Sequence, residues 1–154
     1  MTRAPQELRT YFVTTATMNR RRLFQVEATA HLMLDILQSY RAEGRFALHA
    51  FVIMPDHLHV LLTPSPEVSL EKAVQYIKGG FSFRFKSKTG VWERSFNQTQ
   101  VLDLEKFDAC ERYIEQNPVK AGVVESGPNY LFSSAHPAAI VDPMPEHFLR
   151  RTRG

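Results

Sequence analysis

The sequence predicts an α+β fold: a ferredoxin-like βαββαβ antiparallel sheet with both long helices on one face, plus a further helix towards the C-terminus. Three observations predict it. Segments rich in β-branched and aromatic residues alternate with two amphipathic stretches in the order strand–helix–strand–strand–helix–strand. The two central strands are separated only by Pro55 and Asp56, a hairpin connection. The 154 residues, 44% hydrophobic and 23% charged, suit one domain with a core of ordinary size.

The elements follow in order. Tyr11 to Thr17 (YFVTTAT) reads as the first strand, and Asn19 to Arg22 as a polar, basic turn. From Val26 to Ala42, Ala30, Leu34, Leu37 and Tyr40 recur at helical spacing, and Gly44 ends the helix. Phe46 to Met54 and His57 to Thr63 form the hairpin. Pro64, Ser65 and Pro66 break the chain, and Ser69 caps a helix from Leu70 to about Phe85. Gly79 and Gly80 inside it mark either a bend or a close backbone approach. Gly90 to Arg94 is a loop, Phe96 to Leu102 a fourth strand, and Lys106 to Gln116 a helix stopped by Pro118. Residues 1–130 form the domain on this reading, and 131–154 an irregular basic tail with Arg150, Arg151 and Arg153.

Composition narrows the function. One cysteine, Cys110, allows no internal disulfide and suits a reducing compartment. The N-terminal segment has no apolar run, so neither a signal peptide nor a membrane anchor is expected, and the chain reads as cytoplasmic. The formal charge is +3 and the pI about 9.2. Arg20, Arg21 and Arg22 are consecutive; Lys78, Arg84, Lys86, Lys88 and Arg94 interleave with Phe81, Phe83, Phe85 and Trp92. Cations mixed with aromatics suit a polyanion whose bases can stack, although a solvated helix face over core aromatics gives the same pattern.

Two motifs carry chemistry. In MPDHLHVLL, Met54 to Leu62, residues two apart on a strand share a face, so His57 and His59 present two imidazoles together while Leu58 turns to the core. Two imidazoles on one rigid strand make a half-site for a divalent ion. In RYIEQNPVKAG, Arg112 to Gly122, Tyr113 and Asn117 lie four apart and share a helix face. Each motif also has a plain structural reading: half-exposed histidines, and a packed tyrosine before a helix-ending Asn-Pro.

Together the motifs resemble the single-tyrosine transposases of the His-hydrophobic-His (HUH) endonuclease class, and more narrowly the REP-associated tyrosine transposases. The resemblance runs from about Tyr11 to about His136 and also takes in YFVTTATMNRRRLF, VWERSF and NYLFSSA. It implies that His57 and His59 bind the metal, that Tyr113 is the nucleophile, and that Asn117 supplies a third ligand where some relatives carry Gln. The helix bearing Tyr113 is then the nucleophile helix. Trp92 matches a family tryptophan that would pack the loop. Asp56 stands where many relatives carry Asn, which adds charge near the metal.

The implied reaction is metal-dependent cutting and rejoining of single-stranded DNA through a 5′-phosphotyrosine link. Its substrate carries a hairpin beside the cleavage site, as at REP-like elements. Mg²⁺ or Mn²⁺ is the expected cofactor, and imidazole ligands suit Mn²⁺ at least as well. No nucleotide cofactor is expected, in keeping with the lack of a GxxxxGK[ST] or GxGxxG motif. Arg20, Arg21, Arg22, Lys78, Arg84, Lys86, Lys88 and Arg94 are the candidates for holding the strand. The resemblance admits a homodimer with the tyrosine helix supplied across its interface, or a chain acting alone. The alternative is a domesticated or non-enzymatic protein that binds single-stranded DNA hairpins on the same RRM-like fold. A plasmid nickase and a zinc hydrolase fit less well, the latter because no HExxH or paired-cysteine motif is present.

Overall fold

The computed structural model describes residues 7–150. Its elements are β1 (Thr10–Ala16), α1 (Glu27–Ala42), β2 (Phe46–Met54), β3 (His57–Pro64), α2 (Leu70–Phe85), β4 (Asn97–Val101), α3 (Leu104–Lys120) and a short α4 (Glu146–Arg150). Single 3-10 turns lie at 18–20, 23–25 and 127–129. The sheet order is β2-β3-β1-β4 with every pairing antiparallel, which is the ferredoxin-like arrangement expected. No helix among the described residues is long and apolar enough to cross a membrane.

Helices α1 and α2 pack on one face of the sheet. Val13, Phe51, Ile53, Leu58, Val60 and Leu62 meet Met33, Leu37, Val74, Ile77 and Phe81 in the larger core. The glycine pair resolves as a close approach at Gly80. A Cβ there would stand 2.7 Å from Tyr40 Cε2, whereas Gly79 faces open space. Ser69 does cap α2, its hydroxyl accepting from the Lys72 N–H at 3.1 Å.

The opposite face is not left bare. A second core of Ala50, Val52, Met54, Leu61, Val101, Phe107, Ile114 and Phe148 packs α3 and α4 against it. This explains why β2 and β3 are apolar almost throughout: both their faces are buried. At the hairpin's far end a bulge between Leu48 and Ala50 interrupts the pairing. The His49 imidazole there is buried, with Nε2 at 2.8 Å from the Thr63 hydroxyl.

Two expectations change. The last long helix runs from Leu104 to Lys120, starting earlier than Lys106 and continuing through Pro118. Asp103 caps it, accepting from the Lys106 N–H at 2.8 Å. Pro118 lies in the last turn, where its missing N–H forgoes one bond only, the one to the Ile114 carbonyl. Gly122, at φ +75°, then closes the helix in the left-handed region. Asn117 is therefore inside the helix rather than at its end.

Residues 131–145 are short of regular structure, yet they are bound to the domain. Ile53 N–H donates to Phe132 O and Ser134 N–H to Phe51 O, so residues 132–134 pair along the outer edge of β2. Asp142 accepts from the Leu48 N–H at 2.7 Å and pairs with Arg41 at 3.0 Å. Phe148 is buried against Phe107, with ring centroids 5.6 Å apart. Arg151 and Arg153 lie outside the described residues. Phe148→Ala removes a buried ring that only this segment supplies. We expect a loss of about 3 kcal/mol of stability, read as a lower urea midpoint at an unchanged slope.

Candidate active site

β3 leaves the Pro55-Asp56 turn with His57 as its first residue. Side chains alternate along it, so Leu58, Val60 and Leu62 enter the larger core while His57 and His59 face the α3 side. The antiparallel register sets Ala16 opposite His57 and Thr14 opposite His59. Phe12, two residues before Thr14, shares that face.

The imidazole centroids are 4.7 Å apart, edge to face. The His59 ring stacks on Phe12 at 5.4 Å and meets the Tyr113 ring edge-on at 5.5 Å. Phe12 also touches Tyr113, at 5.8 Å. The buried Phe107 and Ile114 anchor α3 on the sheet and bring Tyr113 over the histidines. His59 is only 5% exposed under this aromatic cover, whereas Tyr113 itself is 47% exposed. Asn117 sits one helical turn beyond Tyr113 and is half-buried.

Both imidazoles use Nδ1 within the protein. His57 Nδ1 lies 2.7 Å from Asp56 Oδ1, and His59 Nδ1 lies 2.7 Å from the Thr14 hydroxyl. Each Nε2 is then the nitrogen left for a ligand. Burial, followed by the charges of His57 and Arg20, pushes the His59 pKa down to about 3. His59 is therefore a neutral imidazole at neutral pH, the form that binds metal. Among the described residues no group of three or more His, Cys, Asp and Glu side chains could hold a metal ion. The two imidazoles fit an open half-site, with its remaining positions available to an amide, water or a substrate oxygen.

The other tyrosines have different surroundings. Tyr130 donates to the Ile53 carbonyl at 2.6 Å, and burial pushes its pKa up to about 12. Tyr40 and Tyr76 pack on each other at 5.1 Å between α1 and α2. Tyr11 alternates onto the face of the larger core.

The basic residues divide into two groups. Asn19 and Arg20 both have positive φ, which brings the Arg20 guanidinium to 3.7 Å from Asp56 Oδ2. Arg21 is half-buried. It donates to the Gly90 carbonyl and the Thr89 hydroxyl, tying the turn to the 89–93 loop. Arg22 is exposed. Lys78 is half-buried and donates to the Glu93 carbonyl at 2.9 Å, with burial lowering its pKa. Arg84, Lys86, Lys88 and Arg94 are exposed. Of the interleaved aromatics, Phe81 and Trp92 are core, and Trp92 Nε1 donates to the Lys78 carbonyl at 3.0 Å, packing the loop as expected. Phe85 stacks on Phe81, so only Phe83, 81% exposed, presents a ring to solvent. Phe12 and Thr14 escaped the sequence reading. Their alternation in the first strand was visible, but the register that sets them beside His59 was not.

Fold and site together define an antiparallel α+β domain in which a histidine pair on the sheet faces a tyrosine on a helix laid across it. The chain belongs to the family described as transposase IS200 like, whose family model matches residues 6–117. The narrower resemblance is borne out as well. Over 129 residues the chain is 27% identical to the REP-associated tyrosine transposase of Escherichia coli (strain K12), covering 82% of this chain and 76% of that one. The solved structure of a REP-associated tyrosine transposase bound to a REP hairpin superposes with a TM-score of 0.69 at 23% identity. It covers 94% of this chain and 90% of its own, which confirms the fold.

The His59 environment has a direct test. An unfolded imidazole takes a proton near 6.5, the folded one only near 3. The stability this site contributes is full above about pH 6.5 and is lost as the pH falls below it. Long-range ¹H–¹⁵N spectra at pH 5 should show His59 neutral in the folded protein; an imidazolium there would contradict the burial described.

Proposed function

We propose that this chain is a metal-dependent single-stranded DNA transposase and endonuclease, cutting and rejoining strands through a 5′-phosphotyrosine intermediate at hairpin-bearing, REP-like sites. The observation that carries this is the packing of Tyr113 against His59, itself beside His57, with both Nδ1 atoms engaged elsewhere. Tyr113 meets His59 of its own chain, which supports a tyrosine acting in cis.

His57 and His59 hold the metal through Nε2 in this reading, and Asn117 supplies a third ligand. Mg²⁺ or Mn²⁺ held there would supply Lewis-acid polarisation of a phosphate oxygen and offset the charge developing on it. The Tyr113 oxygen attacks the scissile phosphorus. Its bond to phosphorus forms as the bond to the 3′-oxygen breaks, the phenol proton passes to solvent, and the leaving 3′-oxygen takes a proton from solvent to depart as a free 3′-hydroxyl. Attack by another 3′-hydroxyl reverses the step, so the phosphodiester is conserved without a nucleotide cofactor. The exposure of Tyr113 lets a single strand reach it. The hairpin partner is supported by the relative solved with a REP hairpin.

Tyr113→Phe keeps the ring packing and removes the attacking oxygen. With hairpin-bearing single strands and Mn²⁺, the wild type should give a covalent adduct on Tyr113 by mass spectrometry, and the variant none, at near-native stability. EDTA should abolish the wild-type adduct. A nucleotide on another residue, or full cleavage without metal, would overturn the assignment.

Arg20, Arg22, Arg84, Lys86, Lys88 and Arg94 remain the proposed strand-holding cations. Arg21 and Lys78 contribute through the loop they fasten. Neutralising Arg22 and Arg94 should flatten the salt dependence of single-strand binding by about 0.7 in log–log slope for each phosphate that the protein no longer neutralises. An unchanged slope would assign both to solvent.

A further inference from the structure

The Asp56 carboxylate touches two groups, and its backbone is held so that it can. The Asp56 carbonyl accepts from the Thr17 N–H and hydroxyl, both at 3.0 Å, and the Pro55 carbonyl accepts from Phe24 N–H at 3.0 Å. The turn is thus clamped to the end of β1 and to the segment leading into α1. On this fixed base Oδ1 lies 2.7 Å from His57 Nδ1 and Oδ2 lies 3.7 Å from Arg20.

An ionised carboxylate can only accept a hydrogen bond. The proton between Asp56 and His57 must therefore reside on Nδ1, and in a neutral imidazole this leaves the Nε2 lone pair bare. A histidine free in water has no such constraint. Thr14 differs, because a hydroxyl can donate or accept and so does not by itself select the tautomer of His59.

We infer that Asp56 is a positioning residue for His57. It fixes the Nδ1–H tautomer and the ring orientation, so that Nε2 is presented as a ready ligand, and Arg20 holds the carboxylate in place from its other oxygen. The metal-binding part of this inference rests on the function proposed above; the tautomer does not.

The test uses the full chain at pH 8 with Asp56→Ala and Asp56→Asn. Long-range ¹H–¹⁵N spectra of the metal-free protein should show His57 in the Nδ1–H form in the wild type. Asp56→Ala should move it towards the Nε2–H form while circular dichroism stays native. Asp56→Asn, whose amide can accept through oxygen or donate through nitrogen, should leave both tautomers populated. Mn²⁺ affinity, followed by electron paramagnetic resonance, should fall about tenfold or more in Asp56→Ala and lie between wild type and Asp56→Ala in Asp56→Asn. An unchanged His57 tautomer in Asp56→Ala overturns the inference. So does a shifted tautomer with equal Mn²⁺ affinity in wild type and variant. If the wild type binds no Mn²⁺, the metal reading of His57 fails, and the spectra still decide what Asp56 does.

Discussion

The pairing of β1 with β3 is the constraint on which the site depends. Its register sets Thr14 against His59 and Ala16 against His57. A slip of one residue would turn Thr14 and Phe12 into the larger core and place Val13 beside the histidines. Both imidazoles would then lose their surroundings: His59 its Thr14 partner and Phe12 platform, His57 the small neighbour that leaves room beside it. The slip is opposed by apolar residues on the other face, where Val13 pairs with Val60 in the core. The same alternation that buries one row of side chains thus aligns the other.

Holding the helix is a separate task. α3 carries no long apolar stripe; its grip on the sheet comes from Phe107, Ile114 and Pro118, with Phe148 filling in from the chain's far end. Tyr113 precedes Ile114, so a buried anchor sits beside an exposed hydroxyl. Pro118 leaves its own carbonyl free to accept from the Val123 N–H at 2.9 Å, which closes the last turn. Within the described residues, the segment after 130 thus supports α3 through Phe148.

Much of this was legible in the sequence because it is periodic. The strand–helix order, the hairpin, and the shared face of His57 and His59 follow from spacings of two and of three to four residues. The rest depends on residues far apart in the chain. Thr14 and His59 are 45 residues apart, and nothing local pairs them. Phe81 and Trp92 look like stacking platforms among cations until the fold closes over them with Phe24. Pro118 reads as a stop because its position relative to the helix's last turn is a property of the whole helix. Phe148, set among prolines and charges, gives no local sign that it completes a core.

The covering of β2 has a consequence for handling the protein. β2 is an outermost strand, nine residues long and apolar on both sides, the kind of edge that recruits further strands. Residues 132–134 and Asp142 occupy its hydrogen-bonding groups. A chain shortened to residue 130 would bare that edge together with the groove left by Phe148. Its failure would be aggregation through strand-to-strand association, even with every proposed catalytic residue intact. β4, at the other margin, is short and carries Asn97, Gln98, Thr99 and Gln100, an exposed polar border.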